Sequence, residues 1–151
     1  FGDFGCHDMD SACWALDLVA PETVEAHSAG RSDPEIQPHG CICYYHFPAN
    51  DRRGPVKMTW YDGGLMPELA PAFERVRSKY RRGALFVGEK GMIACEGAGG
   101  PPQLSLYDAK ATFEKPQPSL PRSPGHHRDW IDACKGGAAA SSNFQYGARL
   151  T

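Results

Sequence analysis

Near the start of the chain, Asp3, His7, Asp10 and Trp14 stand at i, i+4, i+7 and i+11 within and just beyond Gly2-Asp3-Phe4-Gly5-Cys6-His7-Asp8-Met9-Asp10. Wound into a helix, the four fall on one face, about 90° or more from the stripe of Met9, Ala12, Cys13 and Leu16, because the helix repeats every 3.6 residues. A carboxylate one turn before a histidine can accept its ring N–H, which fixes the tautomer and raises the basicity of the other nitrogen. That arrangement suits a general acid/base taking a proton from a hydroxyl near neutral pH. Glycines at 2 and 5 let the backbone come close to a ligand. The same letters also satisfy a simpler reading, in which Asp3 caps the helix and His7 lies on the surface. The residues alone do not choose between the two.

Other groups carry less chemistry. Trp60-Tyr61-Asp62-Gly63-Gly64 ends an apolar strand with two aromatics and a carboxylate, a combination that stacks on sugar rings and binds their hydroxyls; packing of Trp60 into a core is the competing reading. His126-His127 opens the last helix, and His126 is a candidate to reach a pocket. Glu96-Gly97-Ala98-Gly99-Gly100 begins like a dinucleotide fingerprint, but Pro101-Pro102 stand where the helix should open, so it reads as a turn. Cys41-Ile42-Cys43-Tyr44-Tyr45-His46 puts thiols and an imidazole close together. As a strand it sends Cys41, Cys43 and Tyr45 to one face and His46 to the other, which makes them strand cysteines and not metal ligands. No metal is expected.

The elements that must position these groups are legible in outline. A helix is expected from Phe4 to Leu18, closed by Pro21. Thr23–Ser28 alternates as a half-buried strand, Cys41–Phe47 and Val56–Tyr61 are strands, and Ala84–Val87 and Met92–Cys95 flank the hairpin connection Gly88-Glu89-Lys90-Gly91. Gln103–Tyr107 adds a strand, and residues 65–82 hold a short surface helix or a long loop. Four prolines between 114 and 125 make an extended connector. The last helix starts at a Ser123 cap with Pro124 in first position and stops at Lys135-Gly136-Gly137. The fold class is α+β, a mainly antiparallel open sheet of about five or six strands with helices packed on one face.

The chain has 151 residues, one domain's worth, and a domain of this size hides about 70% of its unfolded surface. An apolar share of 41% with 23% charged residues describes a folded domain and not a disordered tail. Glycine (17) and proline (13) are frequent enough to require many turns. A net charge of −2 supplies no basic stripe for a phosphate backbone, so nucleic acid is not an expected partner. No apolar run approaches the ~20 residues that span a bilayer, so no membrane partner is expected either. The six cysteines show no compact disulfide framework, which favours reduced thiols and a cytoplasmic location.

Taken in order, Gly2–Asp10, Trp14-Ala15-Leu16, Val56–Gly64, Leu85–Gly91 and Trp130-Ile131-Asp132-Ala133-Cys134-Lys135-Gly136-Gly137 resemble the C-terminal domain of bacterial-type Gfo/Idh/MocA oxidoreductases over nearly the whole chain. The resemblance implies a single substrate-binding and oligomerisation domain, truncated at both ends, whose Rossmann partner domain with NAD or NADP is absent from this sequence. It further implies a sugar, inositol or related polyol as substrate and a homo-oligomer formed through the sheet. The family's D-x-x-x-H pattern falls on Asp3 and His7, and a further carboxylate on Asp10. By that likeness His7, oriented by Asp3, takes the hydroxyl proton while the carbon gives a hydride to the nicotinamide. Asp10 binds a neighbouring hydroxyl, with Trp14, Trp60 and His126 as further substrate contacts. Glu114-Lys115-Pro116 spells a family motif, but it lies downstream of Asp3 where the family's lies upstream, and is read as coincidence. The chain alone is not expected to hold NAD(P) tightly. Two other readings stay open: a non-catalytic binding or dimerisation module with the same fold, and an NAD-dependent domain that cleaves glycosides.

Overall fold

The first helix begins at the carbonyl of Phe4, which accepts from the N–H groups of His7 at 3.1 Å and Asp8 at 3.0 Å. In this computed structural model, which describes residues 2–31, 33–68 and 82–151, the helix α1 covers Gly5–Leu16. It ends well before Pro21. Asp17 turns left-handed with φ 49°, and the N–H of Leu18 returns to the Cys13 carbonyl at 2.9 Å. A short polar side chain tolerates that conformation, so the stop is local and owes nothing to the proline. The stripe of Met9, Ala12, Cys13 and Leu16 is half-buried, as its spacing predicts.

Six strands follow. β1 (Thr23–Ala29), β2 (Gly40–Phe47) and β3 (Val56–Tyr61) form one antiparallel sheet in that order, and β4 (Gly83–Val87), β5 (Gly91–Glu96) and β6 (Gln103–Leu106) form a second. Cys43 lies opposite both Ala26 and Trp60, and Val87 opposite Met92 across the expected hairpin, which Gly88 closes by donating to the Gly91 carbonyl at 2.9 Å. The class is α+β: two open antiparallel three-stranded sheets with three helices among the described residues. The strands are thus shared between two sheets where the sequence suggested one. Most of residues 65–82, read as a surface helix or loop, lies outside the described residues.

The β2–β3 loop is tied down by its own side chains. Asn50 Oδ1 accepts from the N–H groups of Arg52 and Arg53 at 2.9 and 3.0 Å. This turn aims Arg53 at the end of α1. Its guanidinium donates to the carbonyls of Leu16 at 2.5 Å, Pro48 at 2.7 Å, Gly54 at 2.9 Å and Asp17 at 3.3 Å. At the far end of β3, Gly63 has φ 64°, and a Cβ there would sit 1.9 Å from the carbonyl oxygen of His39. Only glycine fits where the chain leaving β3 lies against the chain entering β2.

The core is thin. Leu18, Phe47, Met92 and Ala94 are the buried apolar residues among those described, and no described side chain is fully enclosed. In β5 burial alternates, Met92 and Ala94 inward and Ile93 outward, the period-two pattern of a sheet with one covered face. β1 does not follow the half-buried expectation: all seven of its residues are exposed, Val24 among them. Alternation in sequence marks which residues share a face, but burial also needs a covering layer, and none of the described residues supplies one over this edge strand.

The last expected helix, α2, covers His126–Cys134 and begins later than its predicted cap. Gly125 is the N-cap residue and offers no side chain; Ser123 Oγ instead accepts from the Gly125 N–H at 3.1 Å, two residues too early to cap the helix. Lys135-Gly136-Gly137 does stop it, with Gly136 at φ 88°. A further helix, α3 (Phe144–Leu150), was not expected; Asn143 caps it by accepting from the Tyr146 N–H at 3.0 Å. No helix among the described residues is long and apolar enough to cross a membrane.

Candidate functional site

Helix α1 packs on β4 along one side and against α3 on another. Where α1, α3 and the Gly97-Ala98-Gly99 turn meet, a cleft of about 330 Å³ opens. Its walls are Cys6, His7, Asp10 and Ser11 from α1, Ala98 and Gly99 from the turn, and Ser142, Tyr146, Gly147 and Leu150 around α3. A smaller hollow of about 120 Å³ adjoins it, lined by Trp14 and Cys13 among others, and Tyr146 and Leu150 border both.

Within the cleft the Tyr146 phenol donates to Asp10 Oδ1. Burial pushes the phenol well above its ordinary value near 10, and the bond to Asp10 reinforces the shift. Tyr146 is therefore a neutral donor throughout the physiological range. Burial, then the Asp10 charge, also raises the Cys13 thiol, which keeps it protonated and unreactive at neutral pH.

The turn wall is held by a second carboxylate. Asp8, 9% exposed, accepts from the Ala98 N–H at 3.3 Å and faces Arg82 Nε at 3.5 Å. Arg82 lies over the Phe4 ring at 4.3 Å from its centroid. Gly97 must lack a side chain, since a Cβ there would come within 2.6 Å of Asp8 Oδ1 and 2.3 Å of Arg82 Nε. Asp8 also sits in the first turn of α1, where the helix dipole favours a negative charge. Replacing Asp8 with alanine is expected to lower the unfolding free energy by about 1 kcal/mol, the net worth of such contacts, since Ala98 and Arg82 are both exposed and water reaches them once the carboxylate is gone. Urea denaturation measures the loss, and faster hydrogen exchange at the Ala98 amide locates it.

The predicted face of α1 is partly brought together. His7 and Asp10 share the cleft, and Trp14 borders the adjoining hollow. Asp3 stands in the exposed turn before the helix, where its carbonyl accepts from Cys6 Sγ at 3.4 Å; among the described residues no hydrogen bond joins its carboxylate to the His7 ring. Trp60 lies half-buried in β3 opposite Cys43, and His126 is exposed with its ring centroid 4.0 Å from that of His127. Neither lines the cleft. Tyr146 and Ser142 escaped sequence reasoning, although Asn143 three residues before Tyr146 is a cap signal for the helix that carries it. The glycine turn was read correctly as a turn but not as a wall.

The six cysteines are all free thiols in the structure, and Cys41 and Cys43 are half-buried strand residues. Among the described residues no group of three or more His, Cys, Asp or Glu side chains is placed to hold a metal ion. No protein-family model, curated protein or solved structure matches the chain.

Proposed function

We propose that this chain is the substrate-binding and acid/base half of an NAD(P)-dependent oxidoreductase acting on a sugar, inositol or related polyol, of the Gfo/Idh/MocA type. The observation that carries the reading is the convergence of His7 and Asp10 on one cleft, walled by Tyr146, Ser142 and a glycine turn. The order of the sequence motifs supports it. A cleft of about 330 Å³ suits a small molecule, and its side chains offer one imidazole, one carboxylate and several hydroxyls.

In this reading the His7 imidazole accepts the proton of the reacting hydroxyl, and Asp10 accepts a hydrogen bond from a neighbouring hydroxyl and so fixes the ring. Asp3, one turn away in an exposed segment, is the positioning residue of this reading, the carboxylate that would accept the imidazole N–H. The Glu96–Gly100 turn does not fit a dinucleotide, because it runs into Pro101-Pro102 and β6 and offers no helix N-terminus to a pyrophosphate. The reading therefore assigns the nicotinamide, which takes the hydride, to a separate domain, and the acid/base groups to this one.

A second reading, a binding or dimerisation module, draws on the open sheets. All seven residues of β1 are exposed, Val24 among them, and this strand stands at the edge of its sheet. The deciding assay joins this domain to a dinucleotide-binding domain and follows absorbance at 340 nm with myo-inositol or D-glucose plus NAD or NADP. Polyol-dependent NAD(P)H formation is the expected result. Self-association without turnover favours the module, and sugar released from a glycoside without net NADH favours the glycoside-cleaving variant.

A further inference from the structure

The Asp10–Tyr146 contact has a chemical polarity. A phenol carries one O–H, and Tyr146 gives it to Asp10 Oδ1. Its oxygen then has only lone pairs to offer, and an ionised carboxylate likewise only accepts. This wall of the cleft is two neighbouring acceptors contributed by two helices, α1 and α3, from residues 136 positions apart. Among the described residues no other hydrogen bond is made to the Asp10 carboxylate, so its second oxygen is open to a ligand. Burial of the phenol favours its neutral form, so the donor role does not lapse near neutral pH.

We propose that Tyr146 is a specificity-determining residue that, together with Asp10, selects ligands bearing two adjacent hydroxyl groups. One hydroxyl donates to the open oxygen of Asp10 and its neighbour donates to the Tyr146 oxygen. A ketone or ester at the same place presents acceptor to acceptor, and a carboxylate or phosphate adds repulsion from Asp10. Tyr146 also orients Asp10, since a carboxylate held at one oxygen has lost its rotational freedom. The inference rests on the reading of the cleft as a polyol site and adds the residue that reads the diol.

The test uses the ¹⁵N-labelled 151-residue chain, titrated by NMR with trans-cyclohexane-1,2-diol and with cyclohexanol, following the amides of Gly99 and Gly147 in the cleft wall. The native chain is expected to bind the diol about fivefold or more tightly than the mono-alcohol, the worth of one added hydrogen bond. In Tyr146→Phe the ratio is expected to fall to within twofold. A variant that weakens both alcohols equally and keeps the ratio overturns the proposal and leaves the cleft reading standing. If neither alcohol shifts these amides in the folded native chain, the polyol reading fails and takes the proposal with it. Should Tyr146→Phe not fold, Asp10→Asn serves in its place: its amide puts a donor where an acceptor stood, and an unchanged ratio there overturns the proposal.

Discussion

In the protein that joins this domain to a dinucleotide-binding domain, replacing His7 with alanine is expected under the proposed function to lower kcat by about 10²–10⁴-fold while leaving the Kd of the dinucleotide within about twofold. The first figure is the usual worth of a positioned general base. The second follows from placement: His7 lies in the cleft between α1 and α3, and the turn beside it does not fit a dinucleotide. The substitution is also expected to be nearly neutral for folding, because His7 is exposed. Steady-state kinetics against polyol and cofactor, with a urea curve on the same variant, separates the two effects. Turnover unchanged in His7→Ala would make this histidine a bystander and return the cleft to the binding-module reading.

Arg53→Ala is expected to be the most damaging substitution for stability, by about 2–3 kcal/mol. Four backbone carbonyls from three segments meet on one guanidinium. Two of them, Leu16 and Asp17, belong to the end of α1, where carbonyls lack helical partners and carry the negative end of the dipole. Hydrogen bonds to a charged donor are each worth more than neutral ones, but these acceptors are partly exposed, so water replaces some of what is lost. Lysine is expected to restore less than half, since an ammonium has three donors and no planar fork. Urea denaturation reads both variants, and an unchanged m-value shows that the native state has lost strength and not compactness.

Sequence spacing carried further in the sheets than at the site. Period-two alternation and the glycine-flanked hairpin placed every strand to within one or two residues, because those signals are local to the backbone. They carried no information on which strand neighbours which cover, and so the two sheets and the exposure of β1 were not legible. The helical period put His7, Asp10 and Trp14 on one face, and the fold borders two adjoining hollows with them. Asp3 was extrapolated onto that helix, but the chain enters the helical path only at Phe4. The cleft's opposite wall comes from α3, more than 130 residues away, and no spacing within one element can announce a partner that distant. Trp60 and His126 are chemically apt residues that the topology carries elsewhere.

One feature of α1 ties these parts together mechanically. Near its N-terminus Asp8 holds the turn between β5 and β6, and at its C-terminus Arg53 grips it from the loop between β2 and β3. Twelve residues of helix, about 18 Å long, thus act as a strut bolted to one sheet at each end. The strut fixes the directions of His7 and Asp10, which lie on its cleft side, relative to both sheets at once.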